Sequence, residues 1–257
     1  MASANLVLLH GFTHTGRSWD PVLAALRERY RALAPGSVGD GESSALHRAL
    51  APDIRGHGES SALVPVTLEA VIEDLAATAP AKFTLAGYSM GGRIALHAAL
   101  ALAPRVQRLV LIGASPGIAD PVARAARRAA DEQLAAALER STIDEFARHW
   151  ATTPVLAGQA SRVAAAAHAD RLRSSPAGLA RALRGLGTGA LPPLWDRLGE
   201  LQLEVTLVTG GRDEKFTAIA ARMSDAIPGA TASIVAGAGH AVHLEAPLQI
   251  AEFIDES

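Results

Sequence analysis

Gly87-Tyr88-Ser89-Met90-Gly91-Gly92-Arg93 sets a serine among small residues, directly after the apolar run 83–86 and before a helical stretch. A G-x-S-x-G at a strand-to-helix junction is a nucleophile elbow, in which a tight turn strains the serine and glycines let strand and helix approach. Ser89 then lies at a helix N-terminus, where free N–H groups favour developing negative charge. Such an elbow requires an acid and then a histidine, in that chain order. Asp213 follows an apolar run through Gly210-Gly211-Arg212, and His240 follows another through Ala236-Gly237-Ala238-Gly239. Asp213 is expected to hold the imidazole, and His240 to take the proton of Ser89. Glu214 is a lesser candidate for the acid. His243 competes with His240, but it lacks the glycine-rich approach and reads as a supporting or satisfied polar residue. The expected oxyanion donors are the N–H of Met90 and that of Phe12 in Leu8-Leu9-His10-Gly11-Phe12. His10 and His57 read as residues that shape their loops.

These residues need a sheet to position them. Short apolar runs at 5–9, Phe83–Tyr88, Val106–Ile112, 205–209 and 232–235 read as strands. Helical stretches at 19–29, 91–103 and 248–254 accompany them, the pattern of an α/β fold with a mostly parallel sheet flanked by helices. Between about Pro116 and Leu194 the strand signal gives way to Ala-, Leu- and Arg-rich helices at 121–139, 142–150, 159–173 and 177–185. The expected organisation is a core of 1–115 and 195–257, with residues 116–194 as an inserted helical lid over the carboxyl edge of the sheet, where open α/β sheets bind ligands.

A tandem duplication interrupts the core. Residues 31–46 (RALAPGSVGDGESSAL) recur at 48–63 (RALAPDIRGHGESSAL) with 12 of 16 positions identical. The duplicated insert is taken as 31–47 and the second copy as 48–64. Because the second copy carries Asp53, Ile54, Arg55 and His57, residues 48–52 are expected to form the strand and copy one to be mostly a surface excursion; the preceding helix leads directly into copy one, which leaves the opposite register open.

Composition narrows the function. With 49% hydrophobic and 19% charged residues the chain has ample core material, and a net charge of −2 argues against a nucleic-acid binder. The absence of cysteine excludes thiolate chemistry, and the nine histidines show no metal-ligand spacing. The N-terminus does not read as a signal peptide, and the longest apolar-rich stretch, 94–104, is too short to span a membrane. A cytoplasmic protein is expected, with no nucleic-acid or membrane partner and its oligomeric state open. Of 24 basic residues only Lys82 and Lys215 are lysine; coding bias explains that, but arginine also grips carboxylates best.

Taken together, His10-Gly-Phe, Asp53-x-x-Gly-His57-Gly, the Ser89 elbow, Gly211-Arg-Asp213-Glu-Lys-Phe216 and Gly239-His240-x-x-His243-x-Glu245 resemble the α/β-hydrolase superfamily over nearly the whole chain. The elbow, Arg-Asp-Glu-Lys-Phe and Gly185-Leu-Gly-Thr-Gly-Ala-Leu-Pro-Pro-Leu-Trp195 are narrower. They are similar to the 2-succinyl-6-hydroxy-2,4-cyclohexadiene-1-carboxylate synthases of menaquinone biosynthesis. That resemblance implies a lyase that eliminates pyruvate from a cyclohexene tricarboxylate without a cofactor. It implies Ser89, Asp213 and His240 as the triad, and Tyr88, Arg93, Arg127, Trp150 and Arg173 as substrate-binding residues. A carboxylesterase or carbon–carbon bond hydrolase would use the same triad with Ser89 as covalent nucleophile, and a non-catalytic receptor on this fold is a further rival.

Overall fold

A computed structural model describes residues 5–33 and 49–255. Six strands form one sheet: β1 (Leu6–Leu9), β2 (Ala49–Leu50), β3 (Phe83–Tyr88), β4 (Val106–Ile112), β5 (Glu204–Gly210) and β6 (Thr231–Val235). Their order is β2-β1-β3-β4-β5-β6, and every pair is parallel. The chain winds outward from β1 to β2, then returns to place β3 on the other side of β1. The crevice between the carboxyl ends of β1 and β3 is therefore the topological switch point, where ligands bind to sheets of this kind.

Alternation along the strands divides the core into two layers. Leu6 and Leu8 of β1 and Val110 and Ile112 of β4 pack with Trp19, Val22, Leu26, Ile250 and Ile254, on the side of α1 (Asp20–Leu33) and α10 (Pro247–Asp255). Val7, Leu9, Leu109 and Leu111 pack on the other side with Val71 and Leu75 of α2 (Leu68–Thr78), Ile94 and Leu96 of α3 (Met90–Ala101) and Met223 of α8 (Glu214–Ala226). No expected element falls on α2 or α8. Each starts at a side-chain cap: Thr67 accepts from the Ala70 N–H, and Asp213 from that of Phe216.

Between β4 and β5 run α4 (Pro121–Leu138), α5 (Ile143–Ala151), α6 (Ser161–Arg171) and α7 (Pro176–Leu186). Asp120, Thr142 and Ser175 cap α4, α5 and α7. These helices have a small core of their own, in which Ala135, Leu138, Phe146, Leu179 and Leu183 gather and Phe12 and Trp150 pack against them.

The second copy of the duplication supplies β2, with Ala49 opposite Leu6 and Leu50 opposite Val7. The residues that differ between the copies explain the choice. Asp53 accepts from the N–H of Gly16 at 2.7 Å and of Glu59 at 2.8 Å, and the Ile54 N–H donates to His10 Nε2 at 2.9 Å. The first copy has Gly36 where the second has Asp53, and so has no carboxylate for that role. Residues 34–48 lie outside the described residues, and the expected surface excursion of copy one falls largely on them. Among the described residues no helix is long and apolar enough to cross a membrane.

Candidate active site

The site is built from the elbow outward. Ser89 has φ 52° and ψ −108° between β3 and α3, a conformation that L-residues rarely hold. Glycines make it possible: a Cβ at Gly91 would run into the carbonyls of Leu9 and His10, and one at Gly87 would come within 2.6 Å of Gly91 O. The same close approach brings the loop after β1 onto the elbow. A Cβ on Gly11 would stand 3.5 Å from Ser89 Cβ. Phe12 follows directly, and Met90 is the first residue of α3. Among the described residues neither of their N–H groups is taken by a backbone carbonyl, so both are free to face charge developing beside Ser89.

His240 joins the elbow to the far side of the sheet. Its Nε2 is 3.1 Å from Ser89 Oγ and its Nδ1 is 2.6 Å from Asp213 Oδ2. The two loops that meet there leave β5 and β6, whose register pairs Gly210 with Val235. Asp213 and His240 are buried, and Phe216 packs its ring 4.4 Å from that of His240. The carboxylate accepts the Nδ1 proton, which leaves the Nε2 lone pair directed at the serine hydroxyl. Glu214 instead begins α8 as an exposed residue.

His10 shapes the oxyanion loop as expected: its Nε2 accepts from Ile54, so Nδ1 carries the proton and donates to Gly11 O at 2.9 Å. Burial pushes His10 down to about 4 and His57 down to about 3, so both are neutral. His243 differs from a satisfied polar residue. It is fully buried with neither ring nitrogen hydrogen-bonded, and it lies against Tyr88 at 4.1 Å and Trp19 at 5.1 Å. Its place is that of a flat packing element behind the Tyr88 ring.

A cavity of about 330 Å³ opens over Ser89, between the sheet edge and the four helices. Phe12, Tyr88, Met90, Arg93, Arg127, Trp150 and His240 line it. Trp150 also packs on Phe12, ring centroids 5.2 Å apart, so lining and core packing coexist. Arg93 is buried, with Nε unpartnered and one long bond from Nη2 to Leu186 O at 3.5 Å. Burial, reinforced by Arg127, pushes its guanidinium down to about 10, still well above neutral pH. Arg127 is half-exposed and held by Asp131 at 2.7 Å.

Arg173 is the correction. It is exposed and outside the lining, whereas Arg171 is 1% exposed and lines the cavity. The inward stripe of α6 runs Val163, Ala167, Asp170, Arg171, at helical spacing, and a residue two positions past its end points away. That stripe was the signal available in the sequence. Arg171 Nε donates to Thr13 Oγ1 at 3.3 Å, and both terminal nitrogens lack a partner among the described residues. His14, Lys215 and Phe216 also line the cavity and were not foreseen as binding residues.

The Alpha/beta hydrolase family matches residues 6–253. A Bacillus subtilis (strain 168) protein provisionally named 2-succinyl-6-hydroxy-2,4-cyclohexadiene-1-carboxylate synthase is 33% identical, over 99% of this chain and 90% of its own length. The 2-succinyl-6-hydroxy-2,4-cyclohexadiene-1-carboxylate synthase of Salmonella paratyphi C (strain RKS4594) is 32% identical, over 96% of this chain and 91% of its own. Among solved structures, MenH from S. aureus superposes with a TM-score of 0.84 at 28% identity, covering 99% of this chain and 92% of that one.

Proposed function

The chain belongs to the alpha/beta hydrolase family, and on that premise we propose that it is a cofactor-independent carbon–oxygen lyase of the cytoplasm. It eliminates pyruvate from 2-succinyl-5-enolpyruvyl-6-hydroxy-3-cyclohexene-1-carboxylate to give 2-succinyl-6-hydroxy-2,4-cyclohexadiene-1-carboxylate, a step of menaquinone biosynthesis. In this reading residues 116–194 are the lid. One observation carries the choice of a lyase over an esterase: two arginines of the Ser89 cavity wall, Arg93 and Arg171, are buried and hold nitrogens that have no partner among the described residues. A guanidinium buried without a counter-charge is costly. A substrate with three carboxylates supplies the missing partners, and a neutral ester does not.

Ser89 acts as base rather than as acyl acceptor. Its hydroxyl proton passes to His240 Nε2 across 3.1 Å, and the oxygen takes the ring proton. The electron pair of that C–H bond shifts into the ring as the C–O bond to the enolpyruvyl group breaks. The enolpyruvate departs with the C–O pair and takes the proton from His240, leaving as pyruvate and restoring the triad. The Phe12 and Met90 N–H groups and the arginines stabilise the anion that accumulates in between. The test is a cofactor-free assay of pyruvate release from this substrate. Release that Ser89→Ala lowers by about 10³-fold or more, and that Arg93→Ala weakens, is the expected outcome. Near-normal turnover by Ser89→Ala would overturn the mechanism, and no release by the folded wild type would overturn the function.

A further inference from the structure

The cavity holds a second acid–imidazole pair whose free end has no role in proton transfer to Ser89. Asp170, at the end of α6, reaches the loop after β1. His14 Nδ1 lies 2.9 Å from Asp170 Oδ2, the Thr15 N–H donates to the same oxygen at 3.0 Å, and the Thr15 hydroxyl donates to Oδ1. Two of these groups are donors beyond question, and an acceptor-only carboxylate is what suits all three. His14 Nδ1 therefore carries the imidazole proton, and Nε2 presents a lone pair. His14 lines the cavity, and among the described residues its Nε2 is bonded to no protein group. It is a hydrogen-bond acceptor in a cavity whose charged side chains, Arg93, Arg127, Arg171 and Lys215, can only donate.

We propose that His14 Nε2 accepts a hydrogen bond from a hydroxyl of the bound ligand, with Asp170 as the positioning residue that fixes the tautomer. The carboxylates of a polycarboxylate cannot satisfy a lone pair; a hydroxyl can. This rests on the reading above, in which substrate and product both carry a ring 6-hydroxyl. Burial pushes His14 below the ordinary imidazole range, outweighing Asp170, which keeps it neutral and accepting. Arg171 on α6, Tyr88 on β3 and His243, in the short helix Val242–Glu245 (α9), are its other neighbours.

The probe pair comes from the chemistry of the product. Loss of water from 2-succinyl-6-hydroxy-2,4-cyclohexadiene-1-carboxylate aromatises the ring and gives 2-succinylbenzoate, which keeps both carboxylates and lacks the hydroxyl. Calorimetric titration of each into wild type, His14→Leu and His14→Gln separates a hydroxyl contact from a structural role. The change in ring planarity is common to all three proteins and cancels. His14→Leu is expected to lose roughly five- to tenfold in affinity for the hydroxylated ligand, the size of one hydrogen bond, and to be unchanged toward 2-succinylbenzoate. His14→Gln, which offers an amide oxygen near the Nε2 position, is expected to recover most of the difference. Equal loss toward both ligands, or no loss toward either, overturns the proposal. If His14→Leu does not fold, Asp170→Asn takes its place and must shrink the same preference; an unchanged preference overturns the proposal. Because the readout is binding, it is independent of pyruvate release: a wild type that discriminates but does not turn over would refute the lyase and not the contact.

Discussion

Two acid–imidazole pairs face one cavity, and they differ in where their carboxylates originate. Asp213 and His240 leave adjacent parallel strands, so the register of the sheet sets their 2.6 Å separation. Asp170 and His14 connect a helix of the inserted segment to the loop after β1, and their 2.9 Å contact requires that segment to be seated on the core. One imidazole ends on a serine hydroxyl, the other on an unoccupied lone pair. In the proposed reading the sheet edge carries the groups that move a proton, and the inserted helices add Arg127, Trp150 and Arg171 to the cavity wall that Tyr88, Arg93 and His14 begin.

Breaking the first pair gives the largest expected effect. Asp213→Asn should lower kcat for pyruvate release by about 10³–10⁴-fold, because the wrong His240 tautomer then faces Ser89. Asp170→Asn should act on KM and leave kcat within roughly one order of magnitude. Steady-state kinetics on the two variants side by side decides the matter, and matching losses in kcat would erase the distinction between the pairs.

Arg171, next to Asp170 but not bonded to it, sharpens the contrast. Arg171→Met should lower kcat/KM by about 10- to 100-fold, the scale of a lost charge-assisted hydrogen bond. It should also leave Tm unchanged or higher, since an unliganded guanidinium with two unpartnered nitrogens burdens the fold. Thermal unfolding without ligand checks this, and a fall in Tm would make Arg171 structural.

The buried histidines His10 and His57 predict a pH dependence of stability. His10 and His57 are held at about 4 and about 3 by burial, below the ordinary 6.5. As pH falls below about 6.5 the unfolded chain takes up these protons and the folded chain does not, so folding loses stability down to about pH 4 through His10 and about pH 3 through His57. Tm should be level above pH 7 and decline steadily through pH 5. A Tm that stayed level to pH 5 would mean that these imidazoles are open to protonation in the folded state. Arg173→Ala should have the smallest effect, within about twofold in kcat/KM, as for a surface substitution.

The legible part of this molecule is its sheet and its elbow. Phe83–Tyr88 and Val106–Ile112 are strands over the residues their apolar runs mark, and Ser89, Asp213 and His240 each sit in a turn between a strand and a helix. Those turns announce themselves through neighbouring glycines. The helices between β4 and β5 were legible as elements, with bounds off by no more than two residues, and less legible as surfaces. Tyr88, Arg93, Arg127 and Trp150 reach the cavity, whereas Arg173 does not. The pairing of His14 with Asp170 spans 156 positions, and no local pattern announces it.

Strand alternation, helix caps, glycine turns and the order serine, acid, histidine are short-range properties, and the sequence by itself determined them, along with the α/β class they compose. The tertiary structure alone decided which histidine meets Asp170 and which of the arginines near the end of α6 lies against the core. Each depends on how one element is rotated and seated against another. The helix α6 ends at Arg171, and the turn that follows carries the guanidinium of Arg173 to the solvent's side.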